Sequence, residues 1–401
     1  MESTYFRRGF GLKPEIEDQL TADYHSTVVD AMRVGGNQLV AGGLTFRLAK
    51  EFGFCYGVDR AVDYAYETRT KFPDRRIFLI GEIIHNPHVN ANLAAMGIVF
   101  LHRSAEAEFD FTGITAADVV LIPAFGVTMR DFERLRAINC ILVDTTCGSV
   151  LNVWKRVESY ARDGFTSVIH GKYYHEETKA TASQVGRHPG GKYLVVFDMT
   201  EAELICDWIE GKGDAAALAE RFVKAASPGF DFATDLERIG VANQTTMLSG
   251  ESLAIAARLR TSLSRRYGAD QLPGHFRSFD TICSATQERQ DAVDALLKSP
   301  TDVMLVIGGY NSSNTCALAA LAHDKGVRTY HIEDAPGIDP ATGTIRFQPV
   351  RTRAEQVEGG WLSTPAVIGL TAGASTPNNK IGETVARACE TVGISLEKAV
   401  S

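Results

Sequence analysis

Three cysteines of this 401-residue chain share one setting. Cys55 lies in "EFGFCYGVDR", Cys147 in "ILVDTTCGSV" and Cys283 in "FDTICSATQERQDAV". Each stands where a strand runs into an amphipathic helix. Apolar residues recur at helical spacing after each: Val58, Ala61, Val62 and Ala65; Leu151, Trp154 and Val157; Ala292, Val293, Leu296 and Leu297. Thiolates near helix N-termini are stabilised by the backbone dipole and bind soft metals. Iron–sulfur clusters commonly take cysteine, and three such ligands leave one iron open to a substrate. The competing reading is packing, because free cysteine is among the most buried residue types. For any one of the three, the residues alone leave both open. Cys140, Cys206, Cys316 and Cys389 sit inside apolar helical or strand-like patterns and fit packing better.

The polar motifs are unusual for a core. "GEIIHNPHVN" ends a strand with His85 and Asn86, and "IHGKYYHEETKAT" gathers His170, His175, Glu176 and Glu177 after another. "ANQTTMLSGE" places Gln244, Thr245 and Thr246 after "RIGV". "VIGGYNSSNTCALAALA" reads as strand, glycine turn, then Ser312, Ser313 and Asn314 opening an alanine-rich helix, and "VIGLTAGASTP" repeats that logic with Ser375. Hydroxyls and backbone N–H groups at a helix N-terminus can hold phosphate oxygens. Simple N-capping explains each Ser/Asn group taken singly. Taken together, with histidines on neighbouring strand ends, phosphate binding is the better reading. The chain has no GxxxxGK[ST], which excludes a P-loop, and the paired glycines at 308–309 are weak evidence for a dinucleotide site.

The elements that must carry these residues are short apolar runs alternating with helical patterns. Strands are expected at "LTFRLA", "RIFLI", "DVVLIP", "CILVD", "TSVIH", "YLVVF", "VMLVI" and "AVIGL", with helices such as "VLNVWKRVESYA" and "DAVDALLKS" between them. That alternation predicts α/β layers with parallel sheets, whose ligands gather at the C-terminal ends of strands. Residues 1–42 read as a mixed polar extension with some helix. The length suggests two to three domains. The composition, 45% hydrophobic and 22% charged, is that of an ordinary soluble globular protein. A net charge of -8 without a long basic run argues against nucleic acid as the main partner. No apolar run approaches the roughly 18 residues needed to cross a bilayer. The start has no apolar core like that of a signal peptide, so a cytoplasmic protein with no membrane partner is expected. Seven cysteines without a CxxC argue against a disulfide framework.

These residues carry a resemblance. "GFCYGVDRAV", "GEIIHNPHV", "VDTTC", "HGKYYHEET", "QTTMLS", "DTICSATQERQDAV", "GGYNSSNT" and "GLTAGASTP" occur in the order found in the 4-hydroxy-3-methylbut-2-enyl diphosphate reductase family, across roughly residues 44–390. The N-terminal extension, "PAFGVT" and "HGKYYHEET" look like its plant and cyanobacterial branch. The resemblance implies three similar α/β domains in a cloverleaf around a central iron–sulfur cluster. The corresponding boundaries are 1–42 for the extension, 43–56 for a strand and the Cys55 turn, 57–147, 148–280 and 281–376 for the three domains, and 377–401 for a C-terminal helix and tail. It implies a [4Fe-4S] cluster with Cys55, Cys147 and Cys283 as ligands and one open iron for the substrate hydroxyl. His85, His175, Ser312, Asn314 and Ser375 match diphosphate-binding positions, with Ser313 beside them. Glu177 matches the proton donor, and Thr245 the hydroxyl that orients substrate and relays protons. The implied reaction is a reductive dehydroxylation giving isopentenyl and dimethylallyl diphosphate. Its electron donor in this branch is ferredoxin, with flavodoxin as the alternative. Gly53 and Gly57 are expected to let backbone approach the cluster.

Two departures stand out. "PAFGVT" has Phe125 where many members place another diphosphate-binding histidine; packing of Phe125 is expected, with His88 as the other candidate to compensate. Gly148 and Ser149 replace the usual proline and a larger residue, which could loosen the turn at Cys147. Two other readings compete: an iron–sulfur dehydratase acting on a phosphorylated substrate, which needs no external reductant, and a nonenzymatic iron–sulfur sensor, which has no use for a diphosphate pocket.

Overall fold

The computed structural model describes residues 4–104, 108–279 and 281–396. The chain divides into two compact units, one built mainly from Phe100–Cys283 with Phe78–Gly81 and the first few residues, the other from Arg8–Ile77, Glu82–Val99 and the chain from Ser284 onward.

The first unit holds two sheets. One has the order Tyr5–Phe6, Ile141–Asp144, Val119–Ile122, Ile77–Ile80, Ile98–Leu101. The other runs Phe276–Ser278, Ile239–Asn243, Thr166–His170, Tyr193–Val196, all parallel. Val119–Ile122, Thr166–His170 and Ile239–Asn243 are buried at every residue. That is why Val119–Ile122 reads as a continuous apolar run and none of the three shows a polar, solvent-facing alternation. The helix Gly148–Arg162 covers the last two with Val150, Val153, Val157, Tyr160 and Ala161, an apolar stripe at helical spacing.

The second unit is built on a five-stranded sheet of order Arg328–Ile332, Val303–Ile307, Ala366–Ala372, Leu44–Leu48, Gln38–Ala41. Its pairings are parallel except the last, and a small antiparallel sheet (Ile338–Asp339, Thr344–Phe347, Gln356–Gly359) packs into the same core through Ile338, Ile345 and Phe347. The α/β class with parallel sheets expected from the sequence therefore holds. The extension carries two helices, Lys13–Tyr24 and Thr27–Val34, the second with Ser26 as its N-cap, its hydroxyl accepting the Val29 N–H. The second of these helices packs on Asn378–Thr391 so closely that a Cβ on Gly382 would lie 2.2 Å from Ser26 Oγ. No helix among the described residues is long and apolar enough to cross a membrane.

Candidate active site

The residues singled out by the sequence fall into two groups, one in each unit. Cys147, Cys283, His175, Glu177 and Thr245 lie in the first; Cys55, His85, Ser312, Ser313, Asn314 and Ser375 lie in the second.

In the first unit the centre is Glu177, only 2% exposed. Thr245 donates to both carboxyl oxygens, its backbone N–H to Oε1 at 2.6 Å and its hydroxyl to Oε2 at 3.0 Å. The fold delivers the two from different strand ends: His175 caps the helix Glu176–Val185 after the strand Thr166–His170, and Thr245 follows the strand Ile239–Asn243. His175 Nδ1 accepts the Glu177 N–H at 3.2 Å. The ring proton of neutral His175 is thereby placed on Nε2, which makes it a donor without a charge. Gln244 stitches the loops together: its Oε1 accepts the Lys172 N–H at 3.0 Å and the Thr178 hydroxyl at 3.1 Å. The same turn reaches Cys283, whose N–H donates to the Thr245 carbonyl at 3.4 Å.

Cys147 is the N-cap of Gly148–Arg162. Its N–H donates to the Ala124 carbonyl at 3.0 Å and its carbonyl accepts the Leu151 N–H at 3.1 Å. Gly148 and Ser149 therefore leave the turn intact, and Gly148 has open space around it. Phe125, half-buried, packs edge-on against His175.

In the second unit the turn after Ala366–Ala372 is the hub. The Ala374 carbonyl accepts the Cys55 N–H at 3.3 Å, and the Ala374 N–H donates to Asn314 Oδ1 at 2.9 Å. The Ser375 hydroxyl lies 3.2 Å from the His85 carbonyl and 3.4 Å from Ser312 Oγ. Ser312 also caps the helix Ser313–Asp324 by accepting the Thr315 N–H, so capping and a polar cluster coexist there. His85 Nδ1 is 2.8 Å from Glu82 Oε2; because an ionised carboxylate only accepts, Nδ1 carries a proton, and Nε2 becomes a donor only in the imidazolium. His88 is engaged elsewhere, against Tyr24, the Asp23 carbonyl and Asn379, so it does not stand in for a histidine at 125.

Cys55 is the N-cap of Tyr56–Lys71. Gly53 before it has φ +66, and a Cβ there would meet the Thr376 carbonyl at 3.1 Å, so local geometry already requires that glycine. Gly57 lies in the first turn of the helix. Arg289 was not singled out by the sequence. It is 3% exposed and donates to the carbonyls of Gly53 (2.7 Å) and Phe54 (3.1 Å), fixing the turn that carries Cys55.

The cysteines separate by environment. Cys55, Cys147 and Cys283 are partly accessible, while Cys140, Cys206 and Cys389 are buried. Burial pushes the Cys140 and Cys389 thiols up to about 11 and raises Cys206 as well, which keeps them protonated and inert. Cys316, partly accessible, donates to the Tyr310 carbonyl.

A family model described as "LytB protein" matches residues 46–388. The 4-hydroxy-3-methylbut-2-enyl diphosphate reductase of Gloeobacter violaceus is 46% identical over 394 residues, 97% of this chain and 93% of that protein. The protein of the same name from Thermosynechococcus vestitus is 46% identical over 379 residues, 94% of this chain and 92% of its own. A solved structure described as (E)-4-hydroxy-3-methyl-but-2-enyl diphosphate reductase, the terminal enzyme of the non-mevalonate pathway, is similar at TM-score 0.51 and 26% identity, covering 86% of this chain and 99% of that one. The Plasmodium falciparum reductase structure, at TM-score 0.60 and 20% identity, is similar in fold.

Proposed function

Because the chain belongs to the LytB protein family, we propose that it is a 4-hydroxy-3-methylbut-2-enyl diphosphate reductase, producing isopentenyl and dimethylallyl diphosphate in the last step of the methylerythritol phosphate route. The balance is substrate plus two electrons and two protons, giving product and water: the allylic C–O bond breaks, and a C–H bond forms on the allyl fragment.

Cys55, Cys147 and Cys283 would hold a [4Fe-4S] cluster. The donor set suits it: three partly accessible thiols at helix starts, against three core thiols held protonated by burial. When bound, the cluster supplies the electrons singly and a Lewis-acidic iron for the substrate hydroxyl. The rest falls to side chains. His85, His175, Ser312, Ser313, Asn314 and Ser375 bind the diphosphate, with His175 donating from Nε2 in its neutral form.

The observation that carries the proton chemistry is the Glu177–Thr245 pair. Oε1 accepts a backbone N–H, which cannot relay a proton, whereas Oε2 faces the Thr245 hydroxyl, which can: it donates to the carboxylate and accepts from Oε2 once that oxygen is protonated. A protonated Oε2 can pass its proton through that hydroxyl and be recharged by the reverse path, while burial keeps bulk water out. The electron donor is ferredoxin or flavodoxin. The test is turnover of anaerobically reconstituted protein with and without a one-electron reductant, with both diphosphate products and electron consumption measured. Two electrons per water are expected. Turnover without reductant would favour the dehydratase reading.

A further inference from the structure

Asp144 is a buried carboxylate three residues before Cys147, 7% exposed, with both oxygens engaged. Oδ1 accepts the Thr146 N–H at 2.9 Å and the Thr146 hydroxyl at 2.5 Å. Oδ2 accepts the Tyr5 hydroxyl at 2.5 Å, and Arg7 Nε lies 3.7 Å away. Tyr5 is brought there by the edge strand Tyr5–Phe6, which runs parallel to Ile141–Asp144 with Tyr5 opposite Leu142. The other side of the loop is held by Ile122, whose carbonyl accepts both the N–H (3.0 Å) and the hydroxyl (2.7 Å) of Thr145.

Residues 144–147 are thus clamped from two sides, and the clamp leads directly to the partly accessible Cys147 thiol. Helix capping does not explain Asp144, since the N-cap is Cys147 itself. Strand pairing does not explain the Tyr5 hydroxyl, since backbone bonds such as Leu142 N–H to the Thr4 carbonyl (2.7 Å) already join the strands. A buried carboxylate is costly unless its lone pairs are filled, and here they are filled by the peptide next to the cysteine and by the first strand of the chain. We propose that Asp144 is a positioning residue that fixes the Cys147 thiolate for the cluster, and that the Tyr5 hydroxyl completes it. The proposal rests on the reading of Cys147 as a ligand. On it, the N-terminal segment locks one cluster-bearing loop.

The experiment uses full-length holoprotein prepared without oxygen. The rate of cluster loss to an iron chelator, the cluster's midpoint potential and the melting temperature are measured side by side. Tyr5→Phe removes one hydroxyl and keeps the ring beside Phe132, 5.6 Å away. Tyr5→Phe and Asp144→Asn should each lose the cluster on the order of tenfold faster, the usual scale for groups that orient metal ligands, with a shifted potential. The double variant should be no worse than Asp144→Asn alone. Phe132→Leu, which removes the ring contact and spares the carboxylate, should lose the cluster at the parent rate. Parent rates and potentials in both Tyr5→Phe and Asp144→Asn would overturn the proposal, as would effects that simply multiply in the double variant. Should Asp144→Asn not fold, Tyr5→Phe decides. Cys147→Ser separates the two ideas: full iron in that variant overturns the ligand reading and the proposal with it, whereas iron loss there with a silent Tyr5→Phe overturns the proposal alone.

Discussion

The Phe125 ring meets the His175 imidazole edge to face, with centroids 5.8 Å apart and planes at 82°. The expected packing of Phe125 is therefore partly on a site residue rather than only on apolar wall. The ring edge fixes the tilt of an imidazole whose Nδ1 is already committed to the Glu177 N–H. Phe125→Leu keeps apolar bulk and removes the ring edge. Aromatic pairs of this geometry contribute about 0.5–1.5 kcal/mol. Substrate binding should weaken by that amount, roughly two- to tenfold, with little change in melting temperature. Titration of the holoprotein with substrate checks it, and unchanged affinity would leave the contact without a functional role.

Glu177→Gln preserves size and keeps Oε1 as an acceptor for the Thr245 N–H, but removes the transferable proton. Binding should survive while turnover falls on the order of 10²-fold or more. Thr245→Val leaves the backbone donor in place and deletes only the relay hydroxyl, so its loss of turnover should be smaller. Steady-state rates at saturating substrate test the order; a Thr245→Val defect larger than that of Glu177→Gln would reverse the roles assigned to the two residues.

The cysteines predict a double dissociation. Cys55→Ser, Cys147→Ser and Cys283→Ser should lose most iron with small effects on the apoprotein's stability, since these sites are partly accessible. Cys206→Ser and Cys389→Ser should keep iron yet lose about 1–3 kcal/mol, because each puts a hydroxyl into a fully buried site. Iron and sulfide analysis beside denaturant melts separates the classes.

Most of the layered fold was legible in the sequence because its central strands are buried on both faces. Val303–Ile307 and Thr166–His170, for example, coincide with the runs expected. Edge strands were not legible: Gln38–Ala41 alternates exposed and buried residues over four positions, and Tyr5–Phe6 is too short to show a period. The candidate site residues stood out in the sequence because most follow apolar strands. Their partners did not. Arg289 reaches a carbonyl 236 residues away, and Asp144 meets Tyr5 across 139; such pairings exist only once the chain is folded.

Two core histidines should make stability pH-dependent. Burial pushes His170 and His331 down to about 4, so both stay neutral in the folded state where the unfolded chain titrates near 6.5. The unfolded state then binds more protons between those values, and stability falls as pH drops from about 6.5 toward 4, by about 1.4 kcal/mol per pH unit for each histidine. Above 6.5 they contribute no slope. Denaturant melts at pH 7 and 5 test this, and His170→Gln should remove one proton's share of the slope. An unchanged slope in that variant would mean His170 titrates normally in the fold.

The last prediction concerns Gly309, in the glycine pair to which the sequence assigned no role. A Cβ there would lie 2.6 Å from the His85 carbonyl oxygen, and backbone cannot step aside as a flexible side chain could. That same carbonyl faces the Ser375 hydroxyl at 3.2 Å, and Ser375 in turn faces Ser312. One methyl group therefore pushes on the point where three proposed diphosphate ligands meet. Cys55 meets this cluster through the neighbouring turn at Ala374, whose carbonyl accepts its N–H. Gly309→Ala should accordingly displace His85 and weaken substrate binding by on the order of tenfold, since a misplaced charge-assisted hydrogen bond is worth about 1.5–3 kcal/mol. Cluster content should stay at the parent level. Substrate titration and iron analysis on the same preparation decide it. Parent affinity would show that the His85 backbone can shift without disturbing the anion site, and iron loss would show that the strain spreads to the Cys55 turn instead.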